Sequence, residues 1–211
     1  MPLLRGIIFD LDGTLVDSGL DFNRMREEIG IPSGHSVLEF VQALPPGAAK
    51  RSAEEILLRH EFEGAARATL MPGVDDLIAT LCERRISQGI LTRNLAGPTR
   101  LTLNRLKLHH FSPVITREDA PPKPDPAGLR EICARWTCDS SEVLFVGDYR
   151  FDLQAGKRAG MKTILYSPGP TPSYASDANH VVSNYADFAR EFESILSQLG
   201  FTFATSDREL Q

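Results

Sequence analysis

Apolar residues fall along this chain in two patterns. Short uninterrupted runs at residues 6–10, 89–92, 114–116, 143–147 and 163–166 lack the alternation of a half-exposed strand and read as strands buried on both faces. Between and after them, residues 74–84, 98–106, 126–136 and 151–159 carry apolar positions at helical spacing. Strand alternating with helix predicts a doubly wound α/β fold, a parallel sheet wrapped by crossover helices.

The alternation breaks once. From Ser18 to Met71 there are only helical signals, beginning with Phe22, Met25 and Ile29, whose spacing predicts one apolar face turned toward the block's own core. Ser36 with Glu39 and Ser52 with Glu55 have capping-box spacing and predict the starts of two further helices. Pro45-Pro46-Gly47 stops the first of these, and Met71-Pro72-Gly73 closes the block and opens the next core helix. The expected organisation is an α/β core of residues 1–17 and 72–211 with a small all-helical cap, residues 18–71, inserted after the first strand. Toward the C-terminus, Val181-Val182 reads as an edge strand and residues 185–199 as one helix with Phe188, Phe192, Ile195 and Leu199 on its apolar face; the tail from Gly200 to Gln211 has no pattern.

Composition narrows the partners. With 211 residues, 42% hydrophobic and 24% charged, the chain has the make-up of a globular protein with a sizeable core. A net charge of -5 and the lack of a basic stripe argue against a nucleic acid partner. An anionic substrate stays open, because a phosphate site needs only a few placed cations, backbone N–H groups and a metal ion. Neither a signal peptide nor a bilayer-spanning stretch is evident, so no membrane partner is expected. Cys82, Cys133 and Cys138, an odd number in a chain of this size, suggest a reducing, cytoplasmic setting. The five histidines are scattered without metal-ligand spacing.

The candidate chemistry lies where strands end. The first strand runs into Asp10-Leu11-Asp12-Gly13-Thr14-Leu15-Val16-Asp17-Ser18, which sets two carboxylates at a crevice-facing strand end, with Gly13 able to break strand geometry so that both converge. Residues 143–147 lead into Asp148-Tyr149-Arg150-Phe151-Asp152, where either aspartate could instead be a helix N-cap. Residues 89–91 lead into Thr92-Arg93-Asn94, ordinary turn chemistry if taken alone. Between them, Pro121-Pro122-Lys123-Pro124-Asp125-Pro126 frames one lysine with prolines that restrict its loop.

In this order the four segments resemble the motifs of the haloacid dehalogenase superfamily, and within it the phosphatase branch of phosphoglycolate phosphatase-like enzymes with a small helical cap. The resemblance implies that Asp10 is the nucleophile, Asp12 the general acid and base, and Thr92 and Lys123 the groups that hold phosphate. It implies substrate contacts from Leu11, Gly13, Thr14, Arg93 and Asn94. It also implies an Mg²⁺ site drawn from Asp10, Asp12, Asp148 and Asp152, with Asp152 supporting the ion or holding the cationic partner. The expected activity is Mg²⁺-dependent hydrolysis of a small phosphorylated metabolite through a phosphoaspartate.

The chemistry is consistent with those roles. A carboxylate is ionised at neutral pH and needs no base to attack, whereas one crowded by negative charge can keep a proton for the leaving group. A sugar phosphomutase would share all four motifs and stands as the alternative. A dehalogenase has no use for Asp12 or for the Asp148–Asp152 pair, and a non-catalytic interaction protein has no need of the full set. On the cap, Arg24 and Arg26 are candidates to meet a second anionic group of the substrate. Nothing in the sequence speaks to oligomeric state.

Overall fold

The uninterrupted apolar runs form a six-stranded, all-parallel sheet in the order β5-β4-β1-β6-β7-β8. Its strands are β1 (Gly6–Phe9), β4 (Ser87–Leu91), β5 (Val114–Ile115), β6 (Val143–Gly147), β7 (Lys162–Tyr166) and β8 (His180–Val182). The computed structural model describes residues 1–203; residues 204–211, the end of the patternless tail, lie outside the described residues. Two short strands, β2 (Val16–Asp17) and β3 (Thr69–Leu70), flank the helical block. The helices are α1 (Phe22–Ile29), α2 (Val37–Ala43), α3 (Ala48–Arg67), α4 (Val74–Glu83), α5 (Ala96–Arg105), α6 (Ala127–Trp136), α7 (Arg150–Ala159), α8 (Tyr185–Arg190) and α9 (Phe192–Gln198).

By compactness the described residues form two units. The first comprises Met1–Asp17, Leu70–Arg93 and the described residues from His109; the second comprises Ser18–Thr69 and Asn94–Leu108. The second therefore includes α5, which the sequence reading assigned to the core.

In the first unit the central strands are sealed on both faces: every residue of β1 and β6 is buried. On one face Ile8, Leu91, Leu129, Ile132, Phe145 and Ala155 form a continuous cluster beneath α6 and α7. Burying one such side chain contributes roughly 1.5–3 kcal/mol. Because the strands are parallel, their carboxyl ends share one edge. Phe9 lies level with both Ile90 and Val146, so the residues after β1, β4 and β6 leave the sheet side by side, at the point where strand order reverses and ligands bind in such sheets.

The second unit has its own small core of Met25, Ile31, Val37, Val41, Ala53 and Leu57. Helix α1 begins where Asp21 accepts hydrogen bonds from the Asn23 and Arg24 N–H groups, both at 3.0 Å, and ends where Gly30 turns left-handed. Met25 is buried and Ile29 packs at the margin, but Phe22, expected on that face, is 51% exposed, because it is the first helical residue and projects beyond the packed turn. Helix α5 joins this unit through its ends: the Glu61 carboxylate accepts from Leu95 N–H at 3.1 Å, and Arg105 donates to the Ala65 carbonyl at 2.9 Å.

Two helix starts differ from expectation. Ser36 does precede α2 but makes no side-chain cap. Ser52 caps nothing, because α3 already begins at Ala48; the good helix formers Ala48, Ala49, Lys50 and Arg51 carry it back to Gly47. Residues 185–199 form two helices broken at Glu191, with no Gly or Pro to mark the break. No helix among the described residues is long and apolar enough to cross a membrane.

Candidate active site

Asp10 continues the β1 ladder, its N–H donating to the Val146 carbonyl at 2.9 Å, and then the chain turns sharply. The Leu15 and Val16 N–H groups both return to the Leu11 carbonyl, and Gly13 N–H donates to the Val16 carbonyl at 2.8 Å. Gly13 has φ +81°, and a Cβ there would run into the Asp148 carboxylate, so the turn requires glycine twice over. Thr14, fully buried, donates its hydroxyl to Asp148 Oδ1 at 3.1 Å.

From the end of β6 come Asp148 and, one turn into α7, Asp152. The close approach of Asp152 leaves no space for a Cβ at Gly147. Asp152 Oδ2 accepts from Tyr149 N–H at 2.9 Å and so does serve the helix start. Its other oxygen lies 2.6 Å from Lys123 Nζ, which in turn lies 2.5 Å from Asp10 Oδ1. Lys123 is only 2% exposed, and its loop is pinned by Arg158, which donates to the Pro124 carbonyl at 2.9 Å. One ammonium thus joins the carboxylates of two strand ends.

Oxygens of Asp10, Asp148 and Asp152 converge to within 4.8 Å of one another. At that spacing and an effective dielectric near 20, each pair of negative charges repels by roughly 3–4 kcal/mol. One lysine against three carboxylates does not balance the charge. Burial, opposed by Lys123 and aided by Asp152, raises the Asp10 pKa to about 7. Burial and then Asp10 and Asp152 hold Asp148 well above the usual carboxylate range. Burial alone would depress Lys123, but Asp10 and Asp152 outweigh it and keep its pKa above the ordinary value.

The group therefore offers hard oxygen donors from three carboxylates set against one ammonium. That is the donor set a small divalent cation such as Mg²⁺ takes. Asp12 is absent from this convergence; it lies in the turn after Leu11, partly exposed and bridged to Val16.

Thr92 is buried at the end of β4, its N–H donating to the Ile115 carbonyl at 3.0 Å. Arg93 follows, with its guanidinium carbon 4.8 Å from the centre of the Phe151 ring and its carbonyl accepting from Arg117 at 2.5 Å. Asn94 already belongs to the helical unit. Leu11 is fully buried beneath the turn.

Three aromatic residues near Asp148 had no motif to announce them. Tyr174 donates its hydroxyl to the Asp148 carbonyl at 3.1 Å, and Tyr149 stands edge-on to both Tyr174 and Phe151. The only available signal was that Tyr149 and Phe151 lie between Asp148 and Asp152.

The haloacid dehalogenase-like hydrolase family matches residues 7–166, a span that runs from β1 to β7 and contains Lys123 and all three clustered carboxylates. The chain belongs to that family. As a haloacid dehalogenase-like hydrolase it resembles a domain-containing protein of the same description from Arabidopsis thaliana, 34% identical over 88% of this chain and 79% of the relative. It is 31% identical to phosphoglycolate phosphatase of Pseudomonas fluorescens over 79% of this chain and 71% of the relative. Among solved structures, a hydrolase from Pseudomonas syringae superposes with a TM-score of 0.73 over 90% of this chain and 99% of its own, at 21% identity, a likeness of fold.

Proposed function

We propose that this hydrolase uses Mg²⁺ and a phosphoaspartate formed on Asp10 to dephosphorylate a small phosphorylated metabolite. That it hydrolyses phosphate monoesters follows from its family and its phosphatase relatives. The observation that carries the finer reading is the buried Lys123 shared between Asp10 and Asp152, with Asp148 beside them. A purely structural ion pair would not gather three carboxylates around one cation, since the surplus charge costs stability.

The chain's own groups divide the work. Lys123 draws Asp10 toward the anion, against the burial that raises its pKa, and presents a positive charge to the phosphate. An Asp10 oxygen attacks phosphorus while the ester P–O bond breaks. Asp12 gives its proton to the departing alkoxide and then takes one from the water that cleaves the aspartyl phosphate; the crowding by other carboxylates expected of it is not found, since it lies outside their cluster. The Thr92 hydroxyl and the turn at Leu11, Gly13 and Thr14 hold phosphate oxygens, with Arg93 and Asn94 next in line. Asp10 and Asp148, with Asp152 behind them, would hold the ion, which when bound offsets the repulsion between carboxylate and phosphate. Thr14 orients Asp148 through its hydroxyl.

Residues 18–71 are read as the cap that limits substrate size, and the free cysteines favour work in a reducing cytoplasm. The test is a screen of phosphorylated metabolites for phosphate release with Mg²⁺ and with chelator, ranked by kcat/KM. Release that persists unchanged in chelator, or in Asp10→Asn, would overturn the reading.

A further inference from the structure

One buried hydroxyl in the α/β unit does nothing for the fold. Tyr185, the first residue of α8, is fully buried, and its hydroxyl oxygen has no hydrogen-bond partner among the described residues. A buried hydroxyl without a partner is destabilising, and a phenylalanine in its place would bury the same ring without that cost.

The ring is held in position from two sides. It lies face to face with the Tyr166 ring, the centroids 4.2 Å apart and the planes at 5°, and its backbone presses on Gly73, where a Cβ would come 3.1 Å from the Tyr185 carbonyl carbon. Tyr166 is the last residue of β7. Because Leu165 pairs with Gly147 of β6, Tyr166 leaves the sheet level with Asp148, which follows β6 directly. The two stacked rings therefore stand at the sheet edge that carries the carboxylate cluster, beside the strand that supplies Asp148. Burial, then Tyr166, Asp148 and Asp10, push the Tyr185 hydroxyl well above its ordinary pKa, so it stays a neutral donor. Both carboxylates are near enough for their charge to bear on it, yet it hydrogen-bonds to neither.

A carboxylate that holds a cation is itself oriented by hydrogen bonds from outside, and losing one such bond typically weakens metal binding about tenfold or more. Thr14 gives Asp148 one of them. We propose that Tyr185 is a second positioning residue of the cation site, its hydroxyl donating through a bridging water to the carboxylates of Asp148 and Asp10 and holding them in place for Mg²⁺. A carboxylate oxygen accepts more than one bond, and a buried water with several polar neighbours is an ordinary part of a folded protein. The inference rests on the Mg²⁺ reading of this site.

The test is Tyr185→Phe, which removes the oxygen and keeps the ring and its stack. In chelator the variant should melt at or slightly above the wild-type temperature, since the uncompensated hydroxyl is gone. Titration calorimetry with Mg²⁺ should give a Kd about tenfold weaker than that of the wild type, and the rise in melting temperature on adding Mg²⁺ should be smaller. A hydroxyl with only a structural role would behave otherwise: the variant would lose the same melting temperature with and without Mg²⁺, and its Kd would be unmoved. That result overturns the proposal, as does a variant that no longer folds in chelator. An unmoved Kd beside Mg²⁺-dependent phosphate release by the wild type overturns this inference alone, whereas a wild type that binds no Mg²⁺ overturns the Mg²⁺ reading and the inference with it.

Discussion

In the helical unit Glu28 lies at the surface among Arg24, Arg59 and His60; in the α/β unit Asp10 lies largely buried among Lys123, Asp148 and Asp152. Both are carboxylates in contact with cations, yet their protons respond in opposite directions. Hydrogen bonds from Arg59, then His60, with help from Arg24, lower the Glu28 pKa to about 2. Burial lifts Asp10 to about 7 in spite of Lys123. Around Glu28 the positive groups outnumber the carboxylate and water screens what remains, so the cluster is electrostatically relaxed. Around Asp10 three carboxylates share one ammonium, and burial leaves little water to screen them. Tension of that kind is what a site holds before its cation and substrate arrive.

The largest expected effect breaks the buried cluster at its centre. Asp10→Asn keeps the volume and removes the attacking charge, so phosphate release should fall by at least about a thousandfold while the circular dichroism spectrum is unchanged. A soluble variant with wild-type turnover would take the nucleophile's role away from Asp10.

Lys123→Met comes next, since it leaves Asp10 and Asp152 buried without their shared cation. Breaking a buried pair from one side costs about 3–5 kcal/mol, which denaturant unfolding without divalent ions should register. Added Mg²⁺ should return part of that loss, because an ion bound only by the folded state stabilises it. A midpoint equal to wild type in chelator would mean that the carboxylates find another partner.

A smaller effect gives the sign of the tension. In the unfolded chain Asp10 titrates near 3.8, and in the folded metal-free protein near 7. Between those values the folded state holds the extra proton, so its stability is greatest at the acidic side and falls as pH rises from about 4 to about 7. Asp10→Asn lacks that dependence. In chelator, the melting temperature of the variant relative to wild type should therefore climb across the window, and Mg²⁺ should flatten the difference. A difference that is flat without metal would show that Lys123 already compensates Asp10.

The α/β unit was far more legible in the sequence than the helical one, for a physical reason. A parallel strand buried on both faces is a continuous apolar run, so residues 143–147 were read with the same bounds as β6. Strand β4 begins two residues earlier than expected, at polar Ser87 and Gln88, because Gln88 is buried with its amide directed at Cys82 Sγ rather than at water. In the helical unit Ser52 and Glu55 have the spacing of a cap yet sit inside α3, since the same spacing serves a solvated helix face. At the site, the motif residues are each local to one strand end and could be found singly. The Tyr149–Phe151–Tyr174 frame is assembled partly by a contact over 26 residues, from Tyr174 to the Asp148 carbonyl, which no local pattern encodes. The departure of Asp12 from the carboxylate cluster is likewise a matter of how tightly the Gly13 turn folds back onto Leu11.

The smallest effect lies at the relaxed cluster and sharpens the contrast from the other side. Glu28 is exposed, so its ion pairs with Arg24 and Arg59 are screened, and Glu28→Gln should lower the melting temperature only slightly at neutral pH. Its sign is the reverse of that at Asp10. Glu28 has a folded value of about 2 against 4.5 in the unfolded chain, so its contribution is present above pH 4.5 and is lost as pH falls toward 2. The difference between wild type and Glu28→Gln should shrink on acidification and shrink again in molar salt, whereas the Asp10 difference, largely shielded from solvent, should respond less to salt. Turnover of the Glu28 variant should equal that of wild type, since the cluster belongs to the helical unit's own fold. A large loss of activity at unchanged stability would mean that the Glu28 cluster serves the chemistry, and would remove the distinction drawn between the two.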